Sequence, residues 1–326
     1  MIKGTIDRHY NGVWERNEIM DQPARINPRK LHGLFNILGI TLIFVVLLSF
    51  GLEYAYPYLY QHFESYLIGY DRVFIQTVYE IASKIIAFFI PFFCCRKFLE
   101  VTGRDLYRRT YLSPFLQLTF ASQAISIYLF FTFVVNGIIF TIYPESMHNA
   151  QLHPAIQGSN PGLSVLYLFY FIVVIPFLEE YAFRGVILRC TSWVGGPFGL
   201  VVSAILYMSF YIGQSSMLVT LMLGGYLSLI AMMHRSIWPS FVAHVAVNLM
   251  IVLSIFLPAQ FGWIFGLIAA LAYGISVYSL MKYRKNRLVL KQELKMNRIW
   301  RYFITSWVML LAIIILILRA VYYIIM

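Results

Sequence analysis

The sequence predicts an all-α fold: a polytopic transmembrane helical bundle of about nine spans with its N-terminus in the cytoplasm. Three observations predict it. Of the 326 residues 60% are hydrophobic and only 12% are charged, with a mean hydropathy of +0.73, which excludes a soluble globule. The apolar residues gather into runs long enough for a bilayer core of about 30 Å, which takes about 20 residues of helix. The basic residues fall on alternate loops, as expected where Lys and Arg are retained on the cytoplasmic side.

The first thirty residues are polar and basic, with Lys3, Arg8, Arg16, Arg25, Arg29 and Lys30 and no short apolar core of a signal peptide. The first span is therefore expected to stay in the mature protein. Apolar runs follow at approximately 33–56, 73–95, 114–142, 163–188, 197–212, 217–234, 237–257, 260–282 and 302–325. The fifth is short and opens after Gly195-Gly196-Pro197, which suits a tilted helix enclosed by its neighbours. With the N-terminus inside, the inner segments also hold Arg96, Lys97, Arg104, Arg108 and Arg109, then Arg184 and Arg189, then Arg235, and finally the basic run from Lys282 to Arg301. The outer loops hold only Arg72, and the 143–162 loop has no Lys or Arg.

The net charge of +11 thus has its cause in topology, and no nucleic-acid partner is expected. Cys94, Cys95 and Cys190 lie near the inner ends of spans, where a reducing compartment keeps thiols free. The chain divides into a basic cytoplasmic segment 1–32, accessory spans 33–142, a core 160–257, and C-terminal spans 258–326 with their basic loop.

An ionisable side chain inside a span is costly and by default marks a functional site. The fourth span carries FLEEYAFRGVIL. Glu180 and Arg184 are four residues apart, at ion-pair spacing on one helix face. Glu179 points about 100° away on an ideal helix and remains available as a base. The seventh span carries HVAVN, which sets His244 and Asn248 one turn apart, a spacing that can present two donors to one oxygen. Counted at about 1.5 Å per residue from the inner boundaries, Glu179 lies roughly 15 Å deep and His244 roughly 13 Å. Their depths allow one shared site.

Other polar residues read more plainly. Gln76, Glu80 and Lys84 form a stripe at four-residue steps, taken as structural with an internal Glu80–Lys84 pair, or else as lining a cavity. Gly224-Gly225 reads as a close-packing face. His148 and His153 in the outer loop are expected to be solvated. No Cys-His metal spacing, glycine-rich phosphate loop or Ser-His-Asp order occurs, and no cofactor or metal is expected.

These residues resemble the CPBP family of membrane proteins (CAAX protease and bacteriocin-processing, also called Abi). Its signature is Glu-Glu-x-x-x-Arg, Phe-x-x-x-His and His-x-x-x-Asn on successive regions of a helical membrane core. Glu179, Glu180 and Arg184 match the first motif, and His244 and Asn248 the third. In the second, Tyr207 stands for the Phe and Tyr211 for the His. The resemblance covers about 160–257. It implies that Glu179 is the base, Glu180 and Arg184 a supporting pair, and His244 and Asn248 the oxyanion donors, with Tyr211 in the place of a second water-activating group. A phenol with a reference pKa near 10 accepts a proton poorly at neutral pH.

Two functions are carried forward: an intramembrane glutamate-type endopeptidase acting on a peptide or membrane protein, and a pseudopeptidase that holds a partner transmembrane protein as a scaffold or regulator. A transporter or immunity protein rests on the polytopic architecture alone. The expected location is a bacterial-type plasma membrane, multi-pass, with the bilayer and a peptide or membrane-protein partner as contacts. The charge pattern makes a direct prediction. In a cysteine-free background, a cysteine at Ser159 reacts with an impermeant reagent in intact cells. Labelling only after permeabilisation would overturn the nine-span arrangement.

Overall fold

The structure is a computed structural model that describes residues 28–66, 71–101, 103–106, 112–142, 153–157, 160–211, 217–257, 259–283 and 296–325. Segment 1–27, most of the 143–162 loop with His148, Arg108, Arg109 and residues 284–295 of the basic inner loop lie outside the described residues. The described residues are helical, with no strand among them. The principal helices are α1 (Pro28–Phe63), α2 (Arg72–Phe98), α3 (Pro114–Ile142), α4 (Pro161–Ser192), α5 (Gly196–Tyr211), α6 (Met217–His234), α7 (Trp238–Phe256), α8 (Gly262–Tyr283), α9 (Met296–Ile304) and α10 (Trp307–Ile325).

Among the described residues, seven helices are long and apolar enough to cross a membrane, and α5 and α10 are shorter apolar helices. All nine apolar runs of the sequence thus become helices of a polytopic bundle. Their ends follow local chemistry. Asp71 caps α2 by accepting from Val73 N at 3.0 Å, and Asn160 caps α4 by accepting from Leu163 N at 3.2 Å ahead of Pro161.

The last run differs from its expected form. Helix ends at Ile304 and restarts at Trp307, because the Ser306 hydroxyl donates to Asn36 Oδ1 of α1 at 2.6 Å. The detached α9 is amphipathic: Ile299 and Phe303 are buried, and Phe303 meets Phe35 and Phe198 edge-on.

Helix α4 is the axis of the bundle and touches α2, α5, α6 and α7. On one side α1 packs against α2 and α10, and α5 joins α6 to α10. On the other, α3 packs against α6, α7 and α8. Lipid is as apolar as a helix surface, so association relies on close approach and on polar contacts. Close approach is visible at Gly39, where an added Cβ would lie 2.8 Å from Met309 N of the α10 backbone. The polar contacts form a seam in which Gln123 donates to Ser279 at 2.6 Å and Ser126 meets Ser276 at 2.9 Å. Large apolar side chains such as Phe133, Val165, Leu271 and Leu318 remain exposed on the bundle, as a lipid-facing surface requires.

Candidate active site

The site begins with a proline. Pro176 stands inside α4, where it has no N–H to give and its ring obstructs the regular i→i−4 ladder. The helix responds by widening over Tyr170–Val174 into a π turn, and Ile175 N–H reaches back to Tyr170 O. In that i→i−5 register the carbonyl opposite residue 176 is that of Phe171, which proline leaves without a helical donor. Asn248 of α7 supplies one, donating from Nδ2 to Phe171 O at 2.8 Å. Neighbouring helices commonly satisfy backbone groups freed by proline in this way. Tyr79 likewise reaches across to the α1 backbone, donating to Leu52 O at 2.6 Å.

A second π stretch, Glu180–Ile187, follows at once. Short π segments are frequent at functional sites. Here the altered winding lets neighbouring carboxylates meet one imidazole. Glu180 and Arg184 pair as the sequence anticipates, with Oε1 to Nη1 at 3.0 Å and both side chains fully buried. The same Oε1 lies 3.0 Å from His244 Nδ1. Glu179 Oε2 lies 3.6 Å from His244 Nε2, so Glu179 does not stand apart from its neighbour as an ideal helix would have it.

The proton on His244 can be placed by elimination. Glu180 faces a guanidinium as a carboxylate and can only accept, so Nδ1 is the donor of that bond. In the neutral ring Nε2 is then an acceptor, and it looks at Glu179. Of the two residues set one turn apart, His244 thus gives its Nδ1 proton to Glu180 and leaves Nε2 3.6 Å from Glu179, and Asn248 gives one amide hydrogen to Phe171.

Arg184 is held from three sides. Nη2 donates to Gly224 O at 3.2 Å, Nη1 meets Glu180, and the guanidinium lies 4.4 Å from the Tyr207 ring centroid. Gly224 makes this possible, since a Cβ there would stand 2.7 Å from Tyr207 Cδ1. The close-packing reading of Gly224-Gly225 is met between α6 and α5. Tyr207 also meets the His244 ring edge-on at 6.3 Å, with its hydroxyl directed at Glu179. Tyr211 sits one turn on, 5.1 Å from Tyr207 between ring centroids.

A cavity of about 130 Å³ adjoins Glu179. Tyr211, Tyr170, Leu178, Phe210, Lys84 and Arg319 help to line it. The stripe on α2 is thus divided. Gln76 donates to Glu80 at 2.8 Å, while Lys84 lines the cavity rather than bridging to Glu80. Glu80 instead receives His153 Nε2 at 3.1 Å. His153 is no solvated loop residue, for its ring also stacks on Tyr167 at 4.0 Å and its Nδ1 accepts from Ala155 N.

Sequence reasoning passed over Arg319 and Pro176. Both carried a signal: an ionisable residue within an apolar run and a proline within a span. Among the described residues no group of three or more His, Cys, Asp or Glu could hold a metal ion, and all three cysteines are free thiols.

Residues 161–250 match the family described as type II CAAX prenyl endopeptidase Rce1-like. Over these residues the protein is similar to a CAAX protease-like membrane family. The match spans α4 through most of α7, the four helices that build the site, and it agrees with the CPBP resemblance read from the motifs. Neither the curated proteins nor the solved structures gave a match.

Two predictions follow from the geometry of this Rce1-like core. Removing one partner of a buried ion pair typically costs about 3–5 kcal/mol, so Glu180→Gln and Arg184→Gln each lower thermal stability and folded yield. The inversion Glu180→Arg with Arg184→Glu does not recover them, since a carboxylate at 184 would face the Gly224 carbonyl and the Tyr207 ring. Unchanged stability in both single variants would refute the pairing. Asn248→Ala strands the Phe171 carbonyl at a cost of about 1–3 kcal/mol. Pro176→Ala restores an N–H near that carbonyl, so the double variant should melt above Asn248→Ala alone. A double variant no more stable than the single one would show that Asn248 does not serve the proline.

Proposed function

We propose that this CAAX protease-like protein is an intramembrane glutamate-type endopeptidase in which Glu179 and His244 activate water together. The observation that carries the reading is the 3.6 Å approach of Glu179 Oε2 to His244 Nε2, with Nδ1 of the same ring on Glu180 at 3.0 Å. Glu179 takes a proton as water oxygen attacks the peptide carbonyl carbon. His244 Nε2 is the adjacent acceptor, and its imidazolium is stabilised by Glu180 as the proton passes. When the carbon–nitrogen bond breaks, that proton goes to the departing amine. The second amide hydrogen of Asn248 and the hydroxyls of Tyr207 and Tyr211 are the donors for the oxyanion.

In this scheme Tyr211 is a donor and not a base. The imidazole that the family pattern places in the second motif has its counterpart in His244, oriented by a carboxylate as a general base must be. The substrate class to test first is the one in the matched family's description, a prenylated CAAX-type peptide. The protein is multi-pass, with the N-terminus and basic loops cytoplasmic in a bacterial-type plasma membrane, as the loop charges support.

A second reading has one specific support, the tyrosine at 211. As a scaffold the chain would hold a partner transmembrane helix and do no chemistry.

Substitution separates the two. Glu179→Gln removes the base and nearly preserves shape, so processing is abolished while expression and insertion persist. Tyr211→Phe leaves measurable turnover, because the proposed base pair is intact. Tyr211→His raises the rate by adding a group that titrates near neutrality. His244→Gln lowers turnover by about 10²–10⁴, the usual worth of a general acid or base. A stable, inserted Glu179→Gln protein with full cellular function would end the enzyme reading and leave the scaffold.

A further inference from the structure

A cavity of about 100 Å³ lies between α5, α9 and α10 and shares no lining residue with the one beside Glu179. Val202 and Leu206 of α5, Ile313 and Leu316 of α10, and Trp300 and Phe303 of α9 form its wall. Ile205 and Ile317 also line it and are 38% and 55% exposed, so it opens on the lipid-facing surface of the bundle. The polar residue of the lining, Ser209, donates its hydroxyl to Ile205 O at 2.8 Å and so spends it on its own helix. The cavity therefore suits an apolar occupant.

Its position relative to the bilayer follows from α9. This helix is detached from α10 at Ser306, and the rings of Trp300 and Phe303 pack on Phe198 in the first turn of α5. From there the lining runs on from Val202 to Ser209, about 10 Å along the helix. The cavity thus extends from α9 in the direction of the spans, which is the direction of an acyl chain.

α9 has the character of a helix lying at the membrane surface. Ile299 and Phe303 are buried while Arg301 is exposed, and Trp307 beside the break is 84% exposed. Tryptophan gathers at headgroup level, and an amphipathic helix with basic residues on its polar face is drawn to anionic lipid. The run from Lys282 to Arg301 carries eight basic residues against a single glutamate, Glu293. Basic clusters of this size beside a span favour anionic headgroups.

We propose that the cavity between α5, α9 and α10 is a lipid site: it seats part of one acyl chain of an anionic glycerophospholipid from the leaflet that contains α9, with the headgroup at Arg301. The proposal does not depend on the peptidase reading.

The test uses the full chain in phosphatidylcholine nanodiscs, into which phosphatidylglycerol or phosphatidylcholine with brominated acyl chains is introduced at matched mole fractions. Bromine quenches indole fluorescence at contact, and the difference between wild type and Trp300→Phe isolates the signal of Trp300. Brominated phosphatidylglycerol is expected to half-quench that signal at a mole fraction at least about fivefold lower than brominated phosphatidylcholine, the usual effect of one basic residue at an anionic surface. Arg301→Gln should bring the two lipids to within about twofold. Ile205→Phe with Ile317→Phe, both at lipid-exposed positions, should fill the cavity and abolish the preference although Arg301 remains.

Equal quenching by the two lipids overturns the site, as does a Trp300 signal that neither lipid reaches. A preference that persists in the filled variant would put the lipid outside α9 and overturn the cavity as its seat. Native mass spectrometry of the wild type needs no variant: phosphatidylglycerol should stay bound at a detergent concentration that strips phosphatidylcholine, and loss of both together overturns the site. If farnesyl-cysteine methyl ester relieves the quenching as well as unbrominated phosphatidylglycerol does, the cavity reads an isoprenoid and the proposal fails.

Discussion

The core depends on one carboxylate oxygen. Glu180 Oε1 takes the Arg184 guanidinium and His244 Nδ1, each at 3.0 Å, within side chains shut off from solvent. A buried ion pair is weak evidence for stability, because apolar residues of the same volume often do as well. Its effect here is one of geometry. By fixing the donor on Nδ1, the carboxylate decides which imidazole nitrogen is left as an acceptor and turns it towards Glu179. Arg184 is meanwhile secured by the Gly224 carbonyl and the Tyr207 ring. Four helices are thereby joined through one residue pair: α4 supplies it, α7 the imidazole, α6 the carbonyl and α5 the ring.

That junction needs an irregular α4. A regular helix sends adjacent residues about 100° apart, which would turn Glu179 away from the ring that Glu180 holds. Pro176 and the π turns on either side of Ile175–Glu179 alter the winding at the depth of the site. The irregularity exposes a carbonyl, and exposed carbonyls are costly where no water is at hand. Asn248 covers it. The third motif thus has a structural duty alongside any chemical one: its histidine is oriented by α4, and its asparagine completes the α4 backbone.

Much of this was legible in the sequence. Span number and order follow from hydropathy over lengths matched to the bilayer, which is why all nine runs return as helices. The Glu180–Arg184 pair follows from four-residue spacing, and the matched depths of Glu179 and His244 follow from rise per residue. What was not legible is winding and rotation. Hydropathy does not distinguish an α turn from a π turn, so the shared approach of both glutamates to one imidazole lay beyond it. The break at Thr305 and Ser306 was likewise concealed within a continuous apolar run, because its cause is a tertiary contact with Asn36. His153 seemed solvated for the same reason: its partner Glu80 is 73 residues away in the chain.

The tyrosine at 211 takes on a different weight in this setting. A motif assigns roles by position, whereas chemistry requires only that an acceptor, a donor and a reacting carbonyl converge. The acceptors at this site are Glu179 and a carboxylate-oriented His244, and neither depends on residue 211. A phenol is a serviceable hydrogen-bond donor, and two of them, Tyr207 and Tyr211, stand one turn apart beside Glu179. In the proposed peptidase, a tyrosine at that position would leave His244 as the candidate base beside Glu179 and would offer a donor where negative charge develops.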